Sequence, residues 1–427
     1  MTLWPEMKVG RAARLISGVG FPHQFQGKTS GRHPFLKVSD LNSAASGYRQ
    51  VSAKNWVSQD DLASLGARLA PKGAIVFPKV GAAMLKNPRR LLDLSAAMDN
   101  NLLAIVPALG EPRFWLYALS VIDLGEIAAG GALPYVNEGQ VRDLRIPFPG
   151  TEEQRRIADF LDAENARIDK LLDTGSRLQK ILQERRDVQQ SLLLRGNNRP
   201  GGRTFHPILG DLPDSWPIVP LKRLVPRIGV GVVVDPSSYF SKEGVPFLRG
   251  SNITDTGIDL TDVRRMSESN SRALWRSRLE TGDVVVIRAG YPGRAAVIPK
   301  ELNGANCASL IIIKKGDQLL PEYLEAYFNS PLGKAYVNSA RYGAAQEQIN
   351  VSHVVDFMVP VPVTEEQSAL VAELAQARSS VRTLHERVIH QKTLLEERRQ
   401  ALITAAVTGQ FDVSTASGRN VTEGVSV

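Results

Sequence analysis

A single cysteine, Cys307, stands in 427 residues, which rules out an internal disulfide and suits a reducing compartment. No apolar run approaches the ~20 residues that a membrane helix needs. The first ten residues lack the apolar core of a signal peptide. The expectation is therefore a soluble, cytoplasmic protein with no membrane partner. Six histidines and one cysteine show no metal-ligand spacing, so no metal site is expected.

Catalytic signatures are missing as well. Gly27-Lys28-Thr29 resembles the end of a phosphate loop, but Pro22 occupies the place of the required glycine and no buried strand precedes it. Gly229-Val230-Gly231 is an isolated glycine pair. Asn87-Pro88-Arg89-Arg90 comes nearest to the Asp/Asn-Pro-Pro-aromatic pattern of adenine methyltransferases and fails at the second proline. Glu6-Met7-Lys8 has the Glu-x-Lys shape of some nuclease sites, without an acidic partner on a strand. No catalytic residue is assigned. Charge of one sign is scarce only locally. The net charge is +8, carried as +6 by residues 1–151 (17 basic, 11 acidic) and +3 by residues 216–364 (17 basic, 14 acidic). Residues 152–195 and 365–408 are each neutral. Basic excess on two globular blocks suggests a polyanionic partner.

What the chain does have is a copy of itself. Gly130–Gly196 aligns without gaps on Gly343–Gly409, with 18 of 67 positions identical. These include Asn137/Asn350, Asp143/Asp356, Pro147/Pro360, Pro149/Pro362, Thr151-Glu152-Glu153-Gln154 against Thr364-Glu365-Glu366-Gln367, and Glu184-Arg185-Arg186 against Glu397-Arg398-Arg399. Upstream, Trp4-Pro5 matches Trp216-Pro217. Pro34-Phe35-Leu36-Lys37 matches Pro246-Phe247-Leu248-Arg249, and Gly73-Ala74-Ile75-Val76 matches Gly282-Asp283-Val284-Val285. One unit is used twice.

Each unit begins with a mixed, mostly β domain. Apolar runs such as Ala74–Phe77, Leu103–Val106, Val284–Ile287 and Ser309–Ile313 alternate with turn residues. Short helices are expected at Arg113–Ser120 and Glu322–Asn329. Each unit ends in a long helix opened by Thr-x-x-Gln, which reads as a capping box with Gln154 and Gln367 reaching back. Acidic first turns suit the helix dipole. Apolar residues recur at Ile157, Leu161, Ile168, Leu171, Leu178 and Leu182, then at Leu370, Leu374, Val381, Leu384 and Leu395, before Gly196 and Gly409. About 44 residues make a rod of roughly 65 Å; Gly175 is a candidate bend. A narrow apolar stripe seeks a partner, and the two rods are expected to pair antiparallel through these eleven residues.

The fold class expected is α+β: two duplicated, mostly β recognition domains separated by two long antiparallel coiled-coil helices, with pseudo-two-fold symmetry. The boundaries are a first domain at 1–150, a helix at 151–196, a linker at 197–215, a second domain at 216–363, a helix at 364–409 and a flexible tail at 410–427. Such a molecule is a ruler. Two diverged readers on a stiff spacer contact two different short sequences at a fixed gap, as dimers read spaced half-sites.

Here the chain resembles the specificity (S, or HsdS) subunits of type I restriction–modification systems. The resemblance rests on Leu212-Pro213-Asp214-Ser215-Trp216, Pro246-Phe247-Leu248-Arg249, Gly343-Ala344-Ala345-Gln346-Glu347-Gln348-Ile349-Asn350 and the Pro-x-Pro-x-Thr-Glu-Glu-Gln entry into each helix. It covers nearly the whole chain, in order and twice. It implies target-recognition domains on two central helices and double-stranded DNA as partner. It also implies two methyltransferase subunits that bring S-adenosylmethionine, and two restriction subunits that bring ATP and Mg²⁺ chemistry. The chain itself would bind no cofactor and catalyse nothing. One departure is the first unit's Gly130-Gly131-Ala132-Leu133-Pro134-Tyr135-Val136-Asn137, which lacks the glutamines of its counterpart.

Arginine and lysine hold phosphates or pair with guanine, and asparagine and glutamine pair with adenine. The DNA-contact candidates are Lys37 and Arg249, Lys79 and Arg288, the cluster Lys86, Arg89 and Arg90, and Arg294, Arg341, Gln346, Gln348 and Asn350. A solvated surface charge, or a loop amide satisfying backbone, is the ordinary explanation of any single one. Three alternatives stand beside this reading: the specificity chain of a type IIB-like enzyme, a self-contained methyltransferase or nuclease, and a scaffold whose helices recruit partners without DNA.

Overall fold

The computed structural model describes residues 4–41, 48–50, 53–131, 133–233, 237–255, 257–341 and 348–414. Two compact units share the chain: residues up to Ser176 together with those from Ile389 onward, and Arg177–Val388. The division falls inside each long helix, so each unit holds part of both.

In the first unit a five-stranded sheet takes the order Ala13–Ser17, Leu102–Pro107, Ile75–Pro78, Arg90–Leu92, Arg49–Gln50. A second sheet runs Asn55–Val57, His33–Leu36, Ala97–Met98, and its last pair is parallel. In the second unit the order is Ile228–Val230, Leu310–Ile313, Val284–Ile287, Ala295–Val297. Beside it runs Phe240–Ser241, Arg264–Met266, Val245–Leu248, Asn306–Cys307, again ending in a parallel pair. The same strand order recurs, so the sequence repeat is a repeat of fold. The architecture is α+β.

The central strands explain why their sequences are uninterrupted apolar runs. Ile75–Pro78 and Val284–Ile287 are buried along their whole length. Successive side chains point to opposite faces of a strand. Ile75 and Phe77 enter one core and Val76 another. Val284 and Val286 likewise part from Val285 and Ile287. A strand covered on both faces has no position left for a polar residue. In each unit one core also takes in a short helix, Pro112–Ser120 or Pro321–Asn329, each with proline in its first turn, where the missing N–H costs nothing.

A short strand at the start of each unit closes onto the strand that leads into the long helix. Glu6–Lys8 pairs with Arg145–Pro147, and Ile218–Pro220 with Met358–Pro360. The helices follow at Thr151–Leu194 and Thr364–Thr408, and the first is continuous through Gly175. Both stop at a glycine in the left-handed region, Gly196 at φ 61° and Gly409 at φ 79°.

The helices pair within each unit. In the first, Ile157, Ala158 and Leu161 pack with Ile403, Ala406 and Val407. Farther along, Ile168 and Leu402 meet, flanked by Leu172 and Leu395, and Asp169 is bound by Arg399. In the second unit Leu370 and Leu374 share a core with Leu194. The start of one helix thus meets the end of the other, an antiparallel arrangement. The seam is narrower than expected. Leu182 is buried at 6 % exposure, but Leu171, Leu178 and Leu384 are exposed at 53, 43 and 43 %, and Val381 is half-buried. The apolar stripe of a straight helix drifts around its surface, so one partner covers only part of it.

The capping-box expectation fails. Gln154 does not reach back to its own helix start. Its Oε1 accepts the backbone N–H of Glu111 at 2.9 Å and its Nε2 donates to the Pro149 carbonyl at 2.8 Å. Gln367 does the same, accepting from Leu320 N at 2.8 Å and donating to the Gln318 and Pro362 carbonyls. Both side chains are fully buried.

Candidate nucleic-acid interface

The paired candidates occupy matching places. Lys37 and Arg249 each follow the end of a strand whose turn is tied by a buried side chain. The Lys37 N–H donates to Asp40 Oδ2 at 2.8 Å, and the Arg249 N–H to Asn252 Oδ1 at 2.9 Å. The two charged heads differ. Lys37 Nζ reaches Gln26 Oε1 at 3.2 Å, while the Arg249 guanidinium lies 3.4 Å from Asp262.

Lys79 and Arg288 end the central strands. Their carbonyls accept the N–H of Val136 and Ile349, just before Asn137 and Asn350. Each therefore sits beside the loop that opens the next short helix. Lys79 Nζ is 3.3 Å from Ser17 Oγ, which donates to Glu138 at 2.7 Å. Arg288 Nη2 donates to Asn350 Oδ1 at 2.7 Å and its Nε to the Ile349 carbonyl at 3.3 Å. Asn350 thus helps to place Arg288. Gln348 bridges Ala289, and Tyr135 bridges Val80 at the matching position. Where the second unit has a glutamine, the first presents a ring that is 44 % exposed.

Arg294 is placed by Asp255 at 3.0 Å, the Ile253 carbonyl at 3.4 Å and the face of Tyr291 at 4.4 Å. It therefore shares the loop after Arg249. Arg341 ends the Pro331–Arg341 helix, and Gln346 lies outside the described residues. Lys86 is exposed.

Arg89 is a correction. It is 2 % exposed, donates to Asn87 Oδ1 and the Pro88 carbonyl, and lies 4.8 Å from the centre of the Phe77 ring. Burial pulls its pKa down to about 9, and it has no route to a ligand. Arg90 is half-buried, is lowered by burial too, and donates to the Arg89 carbonyl at 3.0 Å. The local cluster is not one basic face.

Reasoning by repetition also passed over residues present in one half alone. Arg264, Arg265, Arg272, Arg276 and Arg278 are all exposed, as is Trp275. Five arginines against the one acid Glu268 within fifteen residues was the available signal. Among the described residues no group of three or more His, Cys, Asp or Glu is placed to hold a metal, and no helix is long and apolar enough to cross a membrane.

Residues 15–174 match the family model of the type I restriction modification DNA specificity domain. The chain is 23 % identical over 430 residues to the EcoBI specificity subunit of Escherichia coli, covering 96 % of this chain and 86 % of that one. It is 22 % identical to the MjaVIII specificity subunit of Methanocaldococcus jannaschii, covering 96 % and 93 %. A chain from the solved structure described as the basis of complex assembly and conformational transition of the type I R-M system superposes with a TM-score of 0.70. That match has 20 % identity and covers 96 % of this chain and 98 % of that chain. Residues 15–174 thus match a type I restriction modification DNA specificity domain, and nearly the whole chain, with its repeated domains and helix pair, is similar to type I restriction enzyme specificity subunits.

Proposed function

We propose that the chain is the DNA-reading subunit of a type I restriction–modification complex and recognises a bipartite, asymmetric target, one part with each domain. The observation that carries this reading is the twofold recurrence of a basic residue, Lys79 and Arg288, at the end of a rigid central strand beside a divergent loop. A fixed scaffold with variable loops is how sequence readers are commonly built. Equivalent positions hold phosphate, and the differing ones (Tyr135 against Gln348) select bases. The chain carries no catalytic group of its own. Two methyltransferase subunits dock on the helix pair and supply S-adenosylmethionine, and two restriction subunits supply ATP and Mg²⁺ chemistry. The assembly works in the cytoplasm.

Coexpression with the adjacent methyltransferase, followed by single-molecule mapping of modified adenines, tests this. A split motif with a constant gap is expected. Modification at an unsplit site, or none, overturns the reading. Methyl transfer or DNA cleavage by the purified chain alone would favour an enzyme instead. DNA affinity and methylation pattern both unchanged by charge reversal at Arg249 plus Arg288 would favour a scaffold.

A further inference from the structure

The two domains share a fold but not a surface. In the second unit the segment from Arg264 to Arg278 forms a strand, a short helix and a 3-10 turn. The first unit repeats it with matching contacts. Ser267 and Ser58 cap the two helices. Arg264 pairs with Phe247 as Asn55 pairs with Phe35. Leu279 donates to Ala305 as Ala70 does to Ala96. On this register Arg264, Arg265, Arg272, Arg276 and Arg278 stand where the first unit has Asn55, Trp56, Ala63, Ala67 and Leu69.

The first unit carries Asp60, Asp61 and Arg68 on this segment, and the second five arginines and Glu268. Among the described residues none of the five is ion-paired to a carboxylate, unlike Arg249 and Arg294. Between them stands Trp275, 59 % exposed, with the Arg276 guanidinium 5.3 Å and the Arg227 guanidinium 5.7 Å from its ring centre. The ring and the guanidinium groups stacked near it make an exposed surface that is both aromatic and positively charged. Stacked, weakly hydrated guanidinium groups suit phosphate.

We propose that this surface is a phosphate-gripping face that holds the backbone of duplex DNA and belongs to the second domain alone. The two half-sites are then held by different physics. This face adds to the second domain a salt-dependent grip that the matching face of the first domain lacks. The inference rests on the DNA-reading assignment above. It adds that the electrostatic anchor is one-sided and carries no sequence information, because phosphate contacts position without specifying.

The test is DNA binding by the chain assembled with its methyltransferase subunits, titrated against salt. Each phosphate contact contributes about 0.9 to the slope of log K against log salt. Arg264→Gln, Arg272→Gln and Arg276→Gln together are expected to flatten the slope by about 2 to 3 while leaving the methylated motif unchanged. Arg68→Gln, on the matching face of the first domain, should leave the slope as it was. These are exposed side chains, so circular dichroism should show an unaltered fold; Trp275→Leu is a second, charge-neutral probe expected to weaken binding several-fold. A wild-type slope in the triple variant overturns the proposal. So does loss of a methyltransferase subunit from the complex with DNA affinity per assembled complex intact, which would make this a protein-docking face. If the wild-type complex shows no salt-dependent target binding, the DNA-reading assignment itself falls, a result the variants cannot mimic.

Discussion

The carboxamide of Gln154 and the backbone N–H of Glu111 are joined at 2.9 Å across 43 residues of chain. Gln367 and Leu320 repeat the bond at 2.8 Å. In each case the long helix is fastened to the residue just before the short core helix. The bond is internal to each unit, so it fixes the angle at which a domain leaves its helix.

Gln154→Ala or Gln367→Ala removes that fastening and strands a half-buried N–H and a buried carbonyl. The cost is expected to be about 1–3 kcal/mol, read by chemical or thermal unfolding. Glutamate at either position should be worse than alanine, because its carboxylate cannot donate to Pro149 or Pro362.

Arg89 holds a turn and its charge never meets solvent. Arg89→Ala is expected to destabilise the first unit by about 2 kcal/mol through lost packing and hydrogen bonds. The salt dependence of DNA binding by the folded fraction should be unchanged. A flatter slope would return Arg89 to the interface.

Ile157 and Leu161 lie in the helix seam against Ile403 and Val407. Either residue mutated to alanine should cost about 2–5 kcal/mol. Leu178→Ala, on an exposed stretch of the same helix, should change the stability of the isolated chain by less than about 0.5 kcal/mol. Equal effects at the two places would contradict the seam.

Cys307 is fully buried, and burial pushes its thiol well above the usual range. A thiolate is the reactive form. A thiol reagent at pH 8 should leave the native protein unlabelled and modify one site per chain after denaturation.

Arg288 is expected to matter twice. Arg288→Ala should weaken target binding by the assembled complex and lower the slope of log K against log salt by about 0.9, and should loosen the loop before Asn350. Asn350→Ala is expected to reproduce part of the loss, because Oδ1 of Asn350 holds the guanidinium at 2.7 Å. Affinity unaffected by either would remove this corner from the interface.

The repeat, the strands and the helix bounds were legible because each rests on local pattern. Continuous apolar runs marked Val284–Ile287, and proline and glycine marked where helices begin and end. Candidate contacts found by matching the halves inherited the bias of that method. It recovers positions such as Lys79 and Arg288 that both halves keep, and is blind to the arginines at 264–278 that only one half has.

The sequence by itself determined that one domain is used twice and that each copy ends in a long helix. Tertiary structure alone decided which charges face water. Arg89 and Lys86 are three residues apart and chemically alike, yet one is enclosed by Phe77 and Asn87 and the other is free. The same holds for Gln154, whose partner lies 43 residues away. Hydrogen-bond partners and burial are set by what folding brings near, and spacing along the chain does not encode it.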